Sequence, residues 1–202
     1  MFTQFKFNKT EITKTHIDIT FHSVSSTTTT TNSIDYANEK ISTYPEVALI
    51  LRVLKRLFYF KNMNSAFNGG LSSFNLFLIV LSYVQYRKLQ LKLMCYSKQS
   101  TPISNLGALL MECLQFFACF DFRNFKIDVN SQYPYLPIAM NDVYKGKSLV
   151  IIDPLSGMNA SKSAYQIDEI QRTFYEGMNY LKQMQELYVN SNVNNYVYGM
   201  FT

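Results

Sequence analysis

The chain reads as α+β and mainly helical: a helical domain attached to the remnant of a sheet. Three observations predict this. Apolar residues recur at helical spacing over most of the length after residue 45. Residues 16–21 (His-Ile-Asp-Ile-Thr-Phe) alternate polar and apolar and are rich in β-branched side chains, as a half-buried strand requires. Residues 149–152 (Leu-Val-Ile-Ile) form a short apolar run stopped by Asp153-Pro154, the pattern of a buried strand.

In the first strand Ile17, Ile19 and Phe21 share one face, so Asp18 points to the other with His16 and Thr20. Residues 23–33, with their run of threonines, are low in complexity and predict a flexible loop. A helix is expected from Pro45, because proline suits the first helical position, with Thr43 or Tyr44 before it as the cap. Val47, Ile50, Leu51, Leu54 and Phe58 then fall on one face, with Lys55 at its edge. Gly69-Gly70 ends the connection, and Ser72 or Ser73 caps a second helix towards Tyr86. Its apolar run, 74–84, is broken by Asn75 and Ser82 and falls short of the ~20 residues of a membrane span. A buried core helix is expected instead.

A third helix spans 104–120, striped by Leu106, Leu109, Leu110, Cys113, Phe116 and Phe117. Asp168 and Glu169 open a last helix, where acids suit the positive end of the dipole. Ile167, Ile170, Phe174, Leu181 and Met184 give it an apolar face. From Asn190 the chain is asparagine-rich and reads as a frayed tail. Three regions result: a sheet remnant with its loop over 1–33, a helical domain over 34–187, and a disordered tail over 188–202.

The 202 residues, 48% of them hydrophobic, provide for one domain with a sizeable core. The net charge of +5 permits a polyanionic partner such as RNA without demanding one, because the charges are scattered. Cys95, Cys113 and Cys119 lack metal-ligand spacing and read as inert thiols. His16 and His22 are the only histidines, so neither a zinc site nor a Ser-His-Asp triad has support. Residues 1–20 are polar and mixed in charge, unlike a secretory leader.

The most informative segment is Asn68-Gly69-Gly70-Leu71-Ser72-Ser73-Phe74. Two glycines allow close backbone approach, two hydroxyls can reach a phosphate, and an aromatic face follows for a base. A glycine turn before a helix cap would have the same letters.

Together with Asp18, Asn32-Ser33, Lys55, Asn105-Leu106-Gly107 and Asp153-Pro154, this segment resembles the non-canonical poly(A) polymerases. These are DNA polymerase β-like nucleotidyltransferases with a PAP-associated helical domain, and the terminal uridylyltransferases are close relatives. The resemblance spans about residues 15–181 and implies that 1–33 is what is present of the catalytic palm. It implies that Asp18 is the palm's third carboxylate, catalytic in helping to hold a metal and in taking the proton from the attacking 3′-hydroxyl; otherwise it is one solvated residue on a strand. Asn32 and Ser33 correspond to the pair contacting the sugar and phosphates, although the threonine run has no family counterpart and Asn32 also suits a helix cap. Lys55 corresponds to the phosphate-binding lysine, against the alternative of a solvated helix edge. Tyr59 stands where uridylyltransferases have a second lysine. Ser72 and Ser73 correspond to the hydroxyls facing the triphosphate, and Phe74 to the ring that stacks on the base, against core packing. The Asn105 helix corresponds to a packing buttress.

Asp153 to Asn159 resembles the loop that reads the base edge. Both Asp153 and Asn159 are candidates for nucleotide contact. The absence there of the uridylyl branch's glutamate and histidine, and the paired glycines before Leu71, favour adenine. The resemblance further implies ATP as substrate, Mg2+ or Mn2+ in the intact enzyme, an RNA 3′ end as acceptor, an RNA-binding protein as partner, no membrane, and a nuclear location ahead of a cytoplasmic one.

One departure matters. No Asp-x-Asp pair stands upstream of Asp18 in these residues, so the chain as given is expected to be inactive alone. It reads as a portion of an RNA adenylyltransferase, or alternatively as a non-catalytic nucleotide- or RNA-binding module, or as a uridylyltransferase fragment.

Overall fold

The computed structural model describes residues 28–94 and 105–199. Five helices and a two-stranded sheet follow in the order α1 (Thr28–Thr43), α2 (Pro45–Phe60), α3 (Ser73–Met94), α4 (Leu106–Cys119), β1 (Phe125–Ile127), β2 (Tyr135–Pro137) and α5 (Ile167–Gly199). The mainly helical α+β class is therefore correct. The strand expected at 16–21 lies outside the described residues.

Helix α1 corrects the loop expected over 23–33, since its helical backbone begins at Thr28 and crosses residue 33 without interruption. Threonine and serine are poor helix formers, so local propensity does not account for it. Packing does: Tyr36, Ala37 and Ile41 lean on the core, with Tyr44 just beyond the helix. The last-turn hydroxyls of Ser42 and Thr43 donate back to the carbonyls of Asn38 and Glu39.

Helix α2 starts as expected, with Pro45 in its first turn and Tyr44 in the cap position. Val47, Ile50, Leu54 and Phe58 are buried, and Leu51 is packed at the margin. Helix α3 runs past Tyr86 to Met94 and is the centre of the domain. All of residues 75–84 are buried, so it is surrounded on every side. No helix among the described residues is long and apolar enough to cross a membrane.

Asn105 caps α4 by accepting from the Ala108 N–H. The buried stripe of α4 is Leu109, Cys113, Leu114 and Phe117. It is turned relative to expectation: Leu114 is inside, while Leu106 is 39% exposed. In α5, Ile167, Ile170 and Phe174 are buried as expected, Thr173 and Met178 join them, and Met184 is exposed. The backbone continues as helix to Gly199, where a frayed tail was expected from Asn190. Asparagine weakens a helix only slightly, and no proline interrupts the segment.

The strands β1 and β2 carry no alternation long enough to read in sequence. They pair antiparallel, with Lys126 opposite Leu136. Residues 149–152 are extended and buried in part as expected, but they join β1 only by a parallel bridge at Ile151 rather than as a full strand. The Ile127 N–H donates to Val150, and Ile152 N–H to Ile127. Between the helices a ring cluster fills the core. Phe117 stands edge or tilted against Phe174, Phe116 and Phe120, at 5.1–5.8 Å between centroids. Phe174 meets Phe58 of α2 at 5.1 Å.

Candidate nucleotide-binding site

The glycine-serine segment is a rigid loop between α2 and α3. A single 3₁₀ turn, Ala66–Asn68, is stopped by Gly69 at φ 74, a left-handed conformation that favours glycine. Gly70 is required for space: a Cβ there would sit 2.3 Å from the Met63 carbonyl oxygen. That closeness lets the Leu71 N–H donate to Met63 at 2.8 Å. From the other side the Gln166 backbone N–H donates to Gly69 (3.0 Å), and the Gln166 side chain donates to the Asn68 carbonyl (2.8 Å).

Ser72 is the cap of α3, its Oγ accepting from the Asn75 N–H at 3.1 Å. That hydroxyl is engaged by the fold. Ser73, the first helical residue, is exposed. It stands at the positive end of a 22-residue helix, where free N–H groups and the dipole favour an anion. Phe74 is half-buried and stacks on Phe77 at 6.0 Å and 23°. It packs on the core, as the packing alternative expects, and keeps part of its ring open.

Asp153 to Met158 forms a tight hairpin. The Asp153 carboxylate accepts from the Leu155 N–H (3.0 Å) and the Ser156 hydroxyl (2.8 Å). Gly157, at φ 70, donates back to the Asp153 carbonyl. Asn159 is a buried clamp. Its Oδ1 accepts from the N–H groups of Ile151 and Ser161 and from the Ser161 hydroxyl, and its Nδ2 donates to Leu149. The amide is spent on backbone, which differs from the base contact expected of it. The clamp touches α3, because Asn75 Nδ2 donates to the adjoining Ala160 carbonyl at 3.3 Å.

Asn32 is exposed and Ser33 half-buried, and both lie inside α1 rather than in a loop or at its cap. One turn later Tyr36 donates to Asn130 Oδ1 at 3.5 Å, and Asn130 Nδ2 donates to the Pro154 carbonyl. Burial, then the charges of Glu39, Asp128 and Asp153, push the Tyr36 phenol up to about 12. Thus α1 and the Asp153 hairpin share one surface. Lys55 is exposed on α2 and makes no hydrogen bond or ion pair among the described residues. Asp18 lies outside them. Among the described residues no three His, Cys, Asp or Glu side chains gather to hold a metal ion, so these residues do not by themselves form a metal site.

No family model matches the chain. Poly(A) RNA polymerase gld-4 of Caenorhabditis elegans is 26% identical over 170 residues, covering 80% of this chain and 19% of that protein. Inactive non-canonical poly(A) RNA polymerase protein Trf4-2 of Drosophila melanogaster is 29% identical over 171 residues, covering 81% and 40%. The chain thus resembles poly(A) RNA polymerases over about four fifths of its length. It spans between a fifth and two fifths of the length of these relatives. The fold agrees with two solved polymerase structures of this kind. One is the polymerase core of TRAMP, an RNA surveillance complex, at 20% identity and TM-score 0.59, covering 73% of this chain and 46% of that one. The other is a cytoplasmic RNA terminal U-transferase at 19% identity and TM-score 0.60, covering 90% and 68%.

Within this poly(A) polymerase-like frame, sequence reasoning missed Tyr36, Asn75, Asn130, Ser161 and Gln166. These residues join the glycine-serine loop, the hairpin and α1 to one another. Asn75 had a signal, being an amide within an otherwise apolar run. The others had none, because each has a partner 12 to 98 positions away.

Proposed function

We propose that this chain is the nucleotide-positioning helical part of a protein that transfers AMP from ATP to RNA 3′ ends. The observation that supports it best is the junction of two motifs: the loop that ends in Ser73 and Phe74, and the Asp153 hairpin with its clamp, joined through Asn75 and Ala160. In this reading Ser73 and the α3 N-terminus receive phosphate oxygens, Lys55 adds a positive charge, and the open part of Phe74 carries the base. Ser72 and Asn159 hold the frame. Asn32 and Ser33 approach the sugar from α1. Asp18 is the proposed metal-holding carboxylate, for Mg2+ or Mn2+, in company with two further acids.

Equilibrium dialysis of the chain with ATP and with UTP tests this. ATP should bind more tightly than UTP, and Ser73→Ala and Phe74→Ala should each weaken it. A folded chain that binds neither nucleotide sinks the pocket, and a preference for UTP moves the reading to uridylyl transfer. A second reading, a non-catalytic binding module, is favoured by the relative that is itself described as inactive. RNA tailing by the gene's longest product, with and without Asp18→Ala, separates the two. The nuclear location and an RNA-binding partner belong to the same proposal. Imaging of a tagged protein confined to the cytoplasm would remove the first, and RNA tailing at full rate by the purified protein alone would remove the second.

A further inference from the structure

Beside the nucleotide loop lies a cavity of about 410 Å³, within the size range of ligand sites. Its wall includes Tyr144, Lys147, Ser148, Asn159, Lys162 and Tyr165, and no aspartate or glutamate. The nearest acid in sequence, Asp142, is occupied: it pairs with Lys126 at 2.8 Å and accepts from the Tyr144 N–H. Lys147 and Lys162 are exposed, and their side-chain ammonium groups have no carboxylate or hydrogen-bond partner among the described residues. Two cations at one mouth repel each other unless an anion lies between or along them.

Both lysines sit on ordered backbone. Lys162 follows the buried Asn159–Ser161 clamp directly. Lys147 closes a turn by donating its N–H to the Tyr144 carbonyl, next to Gly146 at φ 80. Tyr165 is 61% exposed. Its ring lies so close to Gly69 that a Cβ there would come within 2.6 Å of it, so the glycine loop orients the ring. None of Lys55, Ser72, Ser73 and Phe74 lines this cavity. It therefore stands next to the ATP-facing surface without being part of it.

We propose that this cavity binds single-stranded RNA, with Lys147 and Lys162 on successive phosphates and Tyr165 as a stacking platform for one base. Lysines that track a backbone, together with an aromatic face, are what sequence-tolerant single-strand binding needs. This rests on the RNA-tailing reading, for which it supplies a grip on the acceptor close to its end.

The test is fluorescence anisotropy of a labelled 12-nucleotide oligoadenylate with the 202-residue chain over a salt series, with ATP dialysis in parallel. Lys147→Glu/Lys162→Glu should weaken RNA binding at least 10-fold. It should also flatten the salt dependence by about 1.4, from a slope of ~0.7 per phosphate contact on single strands. Lys92→Glu/Lys182→Glu has the same change in charge away from the cavity and should stay within 3-fold of the parent. Tyr165→Leu should cost about 5-fold or more, while Tyr165→Phe keeps the ring and the affinity. Circular dichroism confirms that each variant folds. If the two double variants lose RNA equally, or the chain binds ATP but no RNA, the proposal falls and the nucleotide site stands. If the cavity variant loses ATP and not RNA, the cavity is a mononucleotide site and the proposal is wrong. If neither ligand binds the folded parent, both readings fail.

Discussion

Ser72 and Ser73 are chemically identical neighbours with different roles. The Ser72 hydroxyl is bonded to the Asn75 N–H, and that of Ser73 is exposed at the helix terminus. Ser72→Ala should therefore cost about 1 kcal/mol of stability, the usual worth of an N-cap. Ser73→Ala should change stability by less than about 0.5 kcal/mol and still reduce ATP affinity. Urea melts and dialysis on both variants check this; equal losses of stability would place the cap wrongly. Asn159 makes a sharper case. Replacing it by Ala takes the acceptor from the buried Ser161 N–H, and it leaves the Ile151 N–H with Ser161 Oγ alone and the Leu149 carbonyl with one of its two donors, so a cost of about 3 kcal/mol is expected. A base-reading asparagine would instead change nucleotide preference at unchanged stability. The sequence made Asn159 a candidate because it stands after Asp153-Pro154. It had no means to show that Leu149 and Ser161 would claim the amide.

The loop between α2 and α3 shows why the paired glycines are not interchangeable. Gly69 is held by its positive φ and by the ring of Tyr165, and Gly70 by the Met63 backbone alone. A backbone carbonyl cannot rotate away as a side chain can. Gly70→Ala should therefore displace the loop, lower the melting temperature by several degrees and abolish ATP binding. A variant with parental melting and affinity would mean that the close approach is unimportant. Helices α2, α4 and α5 were legible because each carries a one-sided apolar stripe, to which Pro45 in α2 and Asp168-Glu169 in α5 add a terminal signal. Helix α1 was not legible, since its threonines and serines argue locally for a loop and only docking of Tyr36, Ala37 and Ile41 overrules them. Strands β1 and β2 were hidden for a simpler reason: three residues make no periodic pattern.

At the scale of the molecule, several tyrosines titrate late because the core surrounds them. Tyr36 is raised to about 12, and Tyr83 and Tyr135 are raised as well, in each case chiefly by burial. Burial likewise raises the Cys113 thiol. In the unfolded chain a tyrosine loses its proton near pH 10. Between about pH 10 and 12 the unfolded state thus holds fewer protons than the folded one, and stability falls as pH rises through that window. Below pH 10 this contribution is intact. Urea midpoints should drop across pH 10–12, with absorbance at 295 nm showing a late phase that Tyr36→Phe reduces. Midpoints that stay level would mean these phenols are solvated.

By itself the sequence determined the helical class, the starts of α2, α4 and α5, the buried nature of residues 75–84 and the family resemblance. Each depends on short-range periodicity, a terminal signal or a spaced motif, and these survive as text. The tertiary structure alone decided which motif residues face outward. It spent Asn159 on the backbone, half-covered Phe74, and brought Tyr36, Asn130 and Pro154 to one surface. The physical reason is that a hydroxyl or amide goes to whichever partner desolvation leaves it. For Tyr36 and Asn130 those partners lie 94 and 24 positions away, so only folding brings them together.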